Sequence, residues 1–289
     1  MMQSSRLRAM LLLAVLSLAG CITPLSRAKS PLASPQMSPD SVVLEMFFIR
    51  VPLGDPVANG KVWEEIDEQP LPPDLRQRLA RNGFRAGLLG GQLPEDLAKL
   101  LELADKTTPS GQAEGSKVEQ MDSEPRVVRR HQQLRTGQRS EIVASSIYPE
   151  LPVLVYTAGQ LSGQTYNDAQ GVFAAKSFPQ PDGRVRLELV PELHYGEPRQ
   201  RWVGSQGMMR LDTGRAKQVY DEMAITVDLE PGAMLVLTSL PNRSGSLGHH
   251  FFTQTDGKQE QKLLLIRVAQ TQHDGLFNPP AALKLDEPQ

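Results

Sequence analysis

Residues 182–196 read DGRVRLELVPELHYG. Asp182-Gly183 is a turn signal of the kind that joins antiparallel strands. After it, Val185, Leu187 and Leu189 alternate with Arg184, Arg186 and Glu188. That is the period-two pattern of a strand with one face buried and the other in water. The stretch also gathers Glu188, Glu192 and His194, which raise the question of a metal or acid/base site. Glu192 and His194 are two apart, and on a strand this spacing puts both on one face. Pro191, however, removes a ladder donor, and Tyr195-Gly196 reads as a stop. The pair is therefore expected at a solvated strand end, with an architectural rather than a catalytic role.

The same strand signal recurs on both sides. MAITVDLEPGAMLVLTSLP (223–241) holds two strand-like runs about a Pro231-Gly232 turn, and KQEQKLLLIRVAQTQ (258–272) is apolar on both faces at its centre. Asp256-Gly257 is a second turn signal. Residues 126–277 thus read as a mainly antiparallel β-rich part. Residues 41–104 are mixed. SVVLEMFFIRVP is a β-rich run bounded by Pro52 and Gly54-Asp55-Pro56. KVWEEIDEQ suggests a short helix, with Glu64, Glu65, Asp67 and Glu68 on its solvated face. PPDLRQRLARNG opens with Pro and closes with Asn-Gly, and Leu75 and Leu79 share its inner side. FRAGLLGG reads as a short strand and PEDLAKLLEL as a helix. The expected class is α+β: a β-α-α-β-α region followed by the β-rich part.

Two polar, Pro- and Ser-bearing stretches separate these parts, a tether at 21–40 and a linker at 105–125. A Pro-bearing tail covers 278–289. At the front, Arg6 and Arg8 precede an apolar run, Met10–Leu18, too short to span a bilayer and followed by small residues. Residues 1–20 read as a secretory signal. Cys21 is the only cysteine of the chain, so an intramolecular disulfide is excluded. The net charge of −2 and the lack of a basic tract argue against nucleic acid as a partner.

Catalytic chemistry is sparse. His249-His250 are adjacent, and on a strand they point to opposite faces, so they do not share a metal ion easily. The helical His-x-x-x-His spacing is absent. Gly204-Ser205-Gln206-Gly207 and Gly245-Ser246-Leu247-Gly248 lack the Gly-x-Ser-x-Gly spacing of a nucleophile elbow and read as loops. Gly87-Leu88-Leu89-Gly90-Gly91 lacks the lysine and glycine spacing of a phosphate loop and reads as a tight turn. No catalytic set, metal site or cofactor is expected.

Two resemblances add to this reading. Leu18-Ala19-Gly20-Cys21 resembles the lipobox of bacterial lipoproteins. That implies a diacylglycerol on Cys21, cleavage before it and acylation of the new amino terminus. Ile22, where an Asp often retains such proteins at the inner membrane, implies the outer membrane, facing the periplasm. The competing reading is an ordinary secretory signal with an incidental cysteine.

The strand order also resembles the homology domain of bacterial secretins, the ring-forming channels of type II and III secretion and of type IV pili. Val42-Val43-Leu44-Glu45-Met46-Phe47-Phe48-Ile49 stands for its opening strand, with Trp63 following. Leu134–Ile142, with Tyr148-Pro149 and Pro152, stands for the next strand. Gly171–Ser177 leads to Asp182–Glu192, then Ile225–Leu240, then Lys262–Ala269 as the closing strand. The resemblance implies a lipid-anchored, non-enzymatic envelope protein, assembling with copies of itself or with secretion components. The alternatives are an envelope β-domain that binds a protein or saccharide as a monomer and, more remotely, a hydrolase. The strands read as short, with charge outside at Arg184, Arg186 and Glu188, which argues against a full membrane wall built by this chain.

Overall fold

β1 (Ser41–Pro52) is the spine of the molecule. Its unbroken apolar run is buried along nearly all its length. Val42, Leu44, Met46 and Phe48 face a large apolar core, while Ile49 and Val51 face a smaller one. The alternation of a strand makes this division unavoidable. The computed structural model describes residues 40–105, 126–205, 208–256 and 258–272. The signal segment, Cys21, nearly all of the tether and linker, and the 278–289 tail lie outside the described residues.

β1 lies between β3 (Val127–Arg135) and β11 (Lys258–Gln272), antiparallel to both. β11 pairs β9 (Met234–Ser239), and β9 pairs β2 (Phe84–Leu89). The order β2-β9-β11-β1-β3 defines sheet A, with β10 (Thr253–Asp256) folded back on β11. Strands from before and after the 105–125 linker therefore share one sheet. The outer face of sheet A carries a π-helical turn, Val57–Lys61, that runs into α1 (Val62–Glu64), and also α3 (Glu95–Asp105). Ala58, Val62, Trp63, Ile66 and Leu97 close the smaller core from that side. α2 (Pro73–Arg81) turns Leu75 and Leu79 into the larger core. It begins with Pro at its first turn and ends at Asn82-Gly83, where Gly83 takes φ +80° as helix C-caps require.

Sheet B packs across the larger core. Its order is β4 (Ser140–Thr157), β5 (Gln160–Pro179), β6 (Val185–Ser205), β7 (Met208–Val219), with β8 (Ile225–Leu229) also on β6. Val185, Leu187 and Leu189 of β6 enter this core, as their alternation with charged residues dictates. Phe251 and Phe252 of α4 (Leu247–Phe252) join Phe84 and Phe173 there. Phe251 meets Phe84 edge-on at 5.3 Å and Phe173 at 5.2 Å between centroids. Each such pair adds about 1 kcal/mol beyond its burial. The backbone comes close to this cluster, since a Cβ on Gly171 would lie 2.7 Å from the Phe251 ring. Strand accounts for 61% of the described residues and helix for 18%, so the chain is mostly antiparallel β with few helices.

Two expectations about strands are corrected. β4, β5 and β6 are 18, 20 and 21 residues long, not short. And β6 does not stop at Pro191 or at Tyr195-Gly196. The Pro191 carbonyl accepts from Tyr220 N–H at 3.1 Å. A residue's N–H and C=O point to the same edge of a strand, so the missing donor falls at the junction of β7 and β8, where no ladder bond is lost.

The long strands also part company. β5 pairs β6 only from Gln170 to Pro179, and its first half pairs β4 alone. Beyond Tyr195, β6 pairs only β7. Sheet B is thus a fork of two hairpins. Asp168 at φ +50° and Gly196 at φ +72° sit where the prongs separate. The β4–β5 prong closes through Ala158-Gly159, both at positive φ, the conformation a two-residue hairpin loop demands.

Candidate functional site

The outer face of sheet B carries a charged cluster assembled from three strands. Glu192 and His194 lie there on β6, only 4% and 7% exposed. His194 Nε2 is 2.8 Å from Glu192 Oε2. Arg139, at the start of β4, hydrogen-bonds both Glu192 and Glu141. Lys217 of β7 donates to Glu141 at 3.1 Å. The solvated strand end expected from the sequence is instead a shielded, paired site in mid-strand. Burial alone would raise the Glu141 pKa, but the Arg139 and Lys217 hydrogen bonds overturn this and hold it below the ordinary carboxylate value. Burial would lower the Arg139 pKa, but its hydrogen bonds to Glu141 and Glu192 outweigh this and raise it. Every charge has an opposite partner, so the cluster holds three strands in register.

A second buried acid stands on the opposite sheet. Glu45 is 1% exposed in the middle of β1. It is gripped by Arg129 of β3 and Arg267 of β11, with His131 at 3.3 Å. Burial would raise its pKa, but the bonds and charges of Arg267 and Arg129 bring it below the ordinary value. Phe47 lies within cation–π reach of both arginines, at 5.6 Å from each. The sequence offered one signal for this site, a lone charge inside an apolar run.

The two adjacent histidines sit on α4, not on a strand. His249 Nδ1 meets Thr253 Oγ1 at 3.2 Å, and His250 Nε2 donates to the Pro152 carbonyl at 2.9 Å. One ring nitrogen of each is thus engaged by the protein. Burial lowers the pKa of His249, and burial with the His249 charge pushes His250 down to about 4. Among the described residues no group of three potential metal ligands occurs. Ser246 is the N-cap of α4; its Oγ accepts from His249 N–H at 3.3 Å. Ser205 ends β6, and its Gln206-Gly207 neighbours lie outside the described residues. Gly87 is inside β2 rather than in a turn, where a Cβ would come within 2.5 Å of Ile66. Asp67 pairs its backbone with Leu88, and Glu68 takes Arg85 at 2.7 Å. Cys21, the expected lipidation site, lies outside the described residues.

The edges of sheet B differ from each other. On β4 the outward backbone groups near the prong tip are occupied. Leu154 N–H donates to the Gly245 carbonyl at 2.8 Å, and Pro152 receives His250. Tyr156 exchanges two bonds with the Asn82 side chain. Pro152 itself has no N–H to leave unpaired. β7 is different. Tyr220 N–H points to β6, so alternation turns Val219 N–H outward. Among the described residues β7 pairs no strand on that side. Met209 and Leu211 on this strand are 68% and 45% exposed. An unpaired edge is a template for another strand, although Arg210, Asp212, Arg215 and Lys217 on β7 are charges of the kind that blunt one. No protein-family model matches the chain, and no curated protein matches it.

Proposed function

We propose that this is a lipid-anchored envelope protein, held at the outer membrane through Cys21 and facing the periplasm. Its role is structural, in a protein-secretion or pilus-type assembly, and its fold is an α+β relative of the secretin domain. The observation that carries this reading is the outer edge of β7, which no strand among the described residues pairs, a 12-residue strand at the border of a long antiparallel sheet. Edge-to-edge pairing supplies its missing ladder. A head-to-tail contact between unlike edges, repeated around an axis, closes into a ring.

The test is the mass and shape of the protein extracted from membranes in mild detergent. Light scattering and negative-stain imaging are expected to give closed multimers, and Met209→Lys with Leu211→Lys to reduce them to protomers. A wild-type protein that is monomeric when extracted overturns the assembly reading. Cys21→Ser is expected to release the protein from the membrane fraction, and retention there counts against the anchor.

A second reading has its own observation. The outer edge of β4 near the prong tip is occupied by Asn82, Gly245 and His250, as a protein that avoids strand addition would arrange it. This favours a monomeric envelope β-domain that binds a partner. The same mass measurement separates the two.

A further inference from the structure

Three cations of sheet A stand on its core-facing side, and strand alternation shows how they come there. On β1, Phe48 faces the larger core and Arg50 follows two residues later. On β3, Val128 packs against that core and Arg130 follows it by two. On β11, Leu264 is in the core and Lys262 precedes it by two, opposite Arg50 in the ladder. A core-facing register is an unusual place for even one cation. The three line a cleft of about 240 Å³ against the irregular stretch of β4, where pairing with β5 shifts register between Val143 and Ile147. Arg130 and Ser146 are exposed at the cleft, whereas Lys262 is 9% exposed. The Lys262 ammonium donates to the Ala144 carbonyl of β4 at 3.2 Å.

The chemistry of the lining is one-sided. Arg50, Arg130 and Lys262 are its charges, and among the described residues no carboxylate lines the cleft. Like charges gathered in one cleft repel one another, more strongly away from bulk water, and an anion between them reverses the sign. The neutral groups suit an anion too, since the Ser146 hydroxyl and the Gln254 amide can donate. The Arg130 guanidinium lies 5.2 Å from the Phe48 ring centroid, a cation–π contact that places its fork in advance. Ser145 has another task. Its hydroxyl donates to the Ser146 carbonyl at 2.8 Å and accepts from Gly171 N–H at 2.8 Å, which fixes the irregular stretch. Size and charge select the anion. The cleft is smaller than the roughly 300–1,000 Å³ of drug-sized ligand sites, so it suits one small group rather than a nucleotide. A carboxylate brings one charge, whereas a phosphate monoester brings about −1.5 to −2 near neutral pH and three acceptor oxygens, the better match to three cations. We infer that the cleft binds a phosphate dianion, as inorganic phosphate or as a small phosphate monoester. No described residue of β7 lines it, so the site does not depend on how that edge is used.

The test is titration of the full chain with inorganic phosphate, glycerol 3-phosphate and propionate, by calorimetry and phosphorus NMR in a phosphate-free buffer. Phosphatidylcholine vesicles carrying phosphatidate form the lipid arm. At least one of the two soluble phosphates is expected to bind saturably, and roughly tenfold or more tighter than propionate, the worth of one charge-assisted hydrogen bond. Which of the two binds tells the free ion from the ester. Arg130→Gln, at an exposed position, is expected to weaken binding by roughly tenfold or more. Lys262→Met is expected to weaken it at least as much, and Arg130→Gln carries the test if the buried change prevents folding. Arg184→Gln removes an exposed cation outside the cleft and is expected to leave binding unchanged. No saturable binding of either soluble phosphate, propionate binding as tightly, binding that survives Arg130→Gln, an equal loss in Arg184→Gln, or binding to phosphatidate vesicles alone each overturns the proposal.

Discussion

Asn82 grips the backbone of Tyr156 with both ends of its carboxamide. Its Oδ1 accepts from Tyr156 N–H at 2.8 Å, and its Nδ2 donates to the Tyr156 carbonyl at 3.0 Å. The side chain thus imitates a strand partner, and it does so from the C-cap of α2. Its own carbonyl accepts from Gly248 N–H at 2.8 Å, which ties in α4 as well. One residue, 1% exposed, joins a helix, the free prong of sheet B and the wedge between the sheets.

Asn82→Ala strands the N–H and C=O of Tyr156 in a partly buried site. Each unsatisfied buried group costs about 1–3 kcal/mol, so a loss of about 2–4 kcal/mol is expected in urea unfolding. Asn82→Asp keeps the acceptor but loses the donor and adds a charge, and should be no better. Limited proteolysis is expected to cut the β4–β5 prong faster in both variants. A loss below about 0.5 kcal/mol would show that the clamp is dispensable.

Stability should fall as the solution becomes mildly acidic, and His250 sets the window. Its folded pKa is about 4 against an ordinary 6.5. Between these values the unfolded chain binds the proton and the folded one does not, so stability declines as pH drops from 6.5 to 4 and then levels. After discounting for partial exposure, the loss is on the order of 2 kcal/mol. His249, also lowered by burial, adds to it in the same direction. Glu45 and Glu141 have lowered values, so their contribution is lost only as pH falls below about 4.5, a separate and lower range. His250→Gln can still donate to Pro152 but cannot charge. A melting-temperature profile between pH 6.5 and 4.5 should be flatter for this variant than for the wild type, and identical slopes would refute the assignment.

The cluster at Glu192 is expected to behave as architecture. Glu192→Ala leaves Arg139 and His194 short of a buried partner and should cost about 3 kcal/mol in chemical denaturation. The paired change Glu192→Leu with His194→Leu removes the polar groups together and should cost clearly less than the single alanine change. If the double variant is as unstable as Glu192→Ala, the electrostatic account of this site fails.

How much of this was legible depended on the range of each interaction. The alternation in GRVRLELV is local, and it placed Val185, Leu187 and Leu189 facing a core in a β-rich chain. Glu192 and His194 were seen as neighbours for the same reason, since they share a face by spacing alone. Their burial was not legible. It comes from Arg139, 53 residues away, and from Lys217 on a third strand, and no local pattern announces either. Pro191 misled for a related reason. A proline ends a strand only where its missing N–H faces a partner, and that depends on which strand lies alongside. The fork, with Tyr166, Tyr195 and Tyr220 at its base, likewise follows from where pairing stops rather than from any run of residues.

The Tyr220 hydroxyl gives a prediction of the opposite sign. The residue is 6% exposed, and its Oη is buried without a hydrogen-bond partner among the described residues. The neighbouring Tyr166 hydroxyl donates to Gln164 at 3.0 Å instead. Burial, and then the phenols of Tyr166 and Tyr195, drive the Tyr220 pKa well above the ordinary tyrosine value, so it stays protonated. Tyr220→Phe keeps the ring and removes only the unpaired group. Leaving such a group buried costs about 1–3 kcal/mol, so the variant should be more stable than the wild type by about 1 kcal/mol in urea. A destabilised Tyr220→Phe would mean that the hydroxyl is satisfied after all, most simply by a bound water.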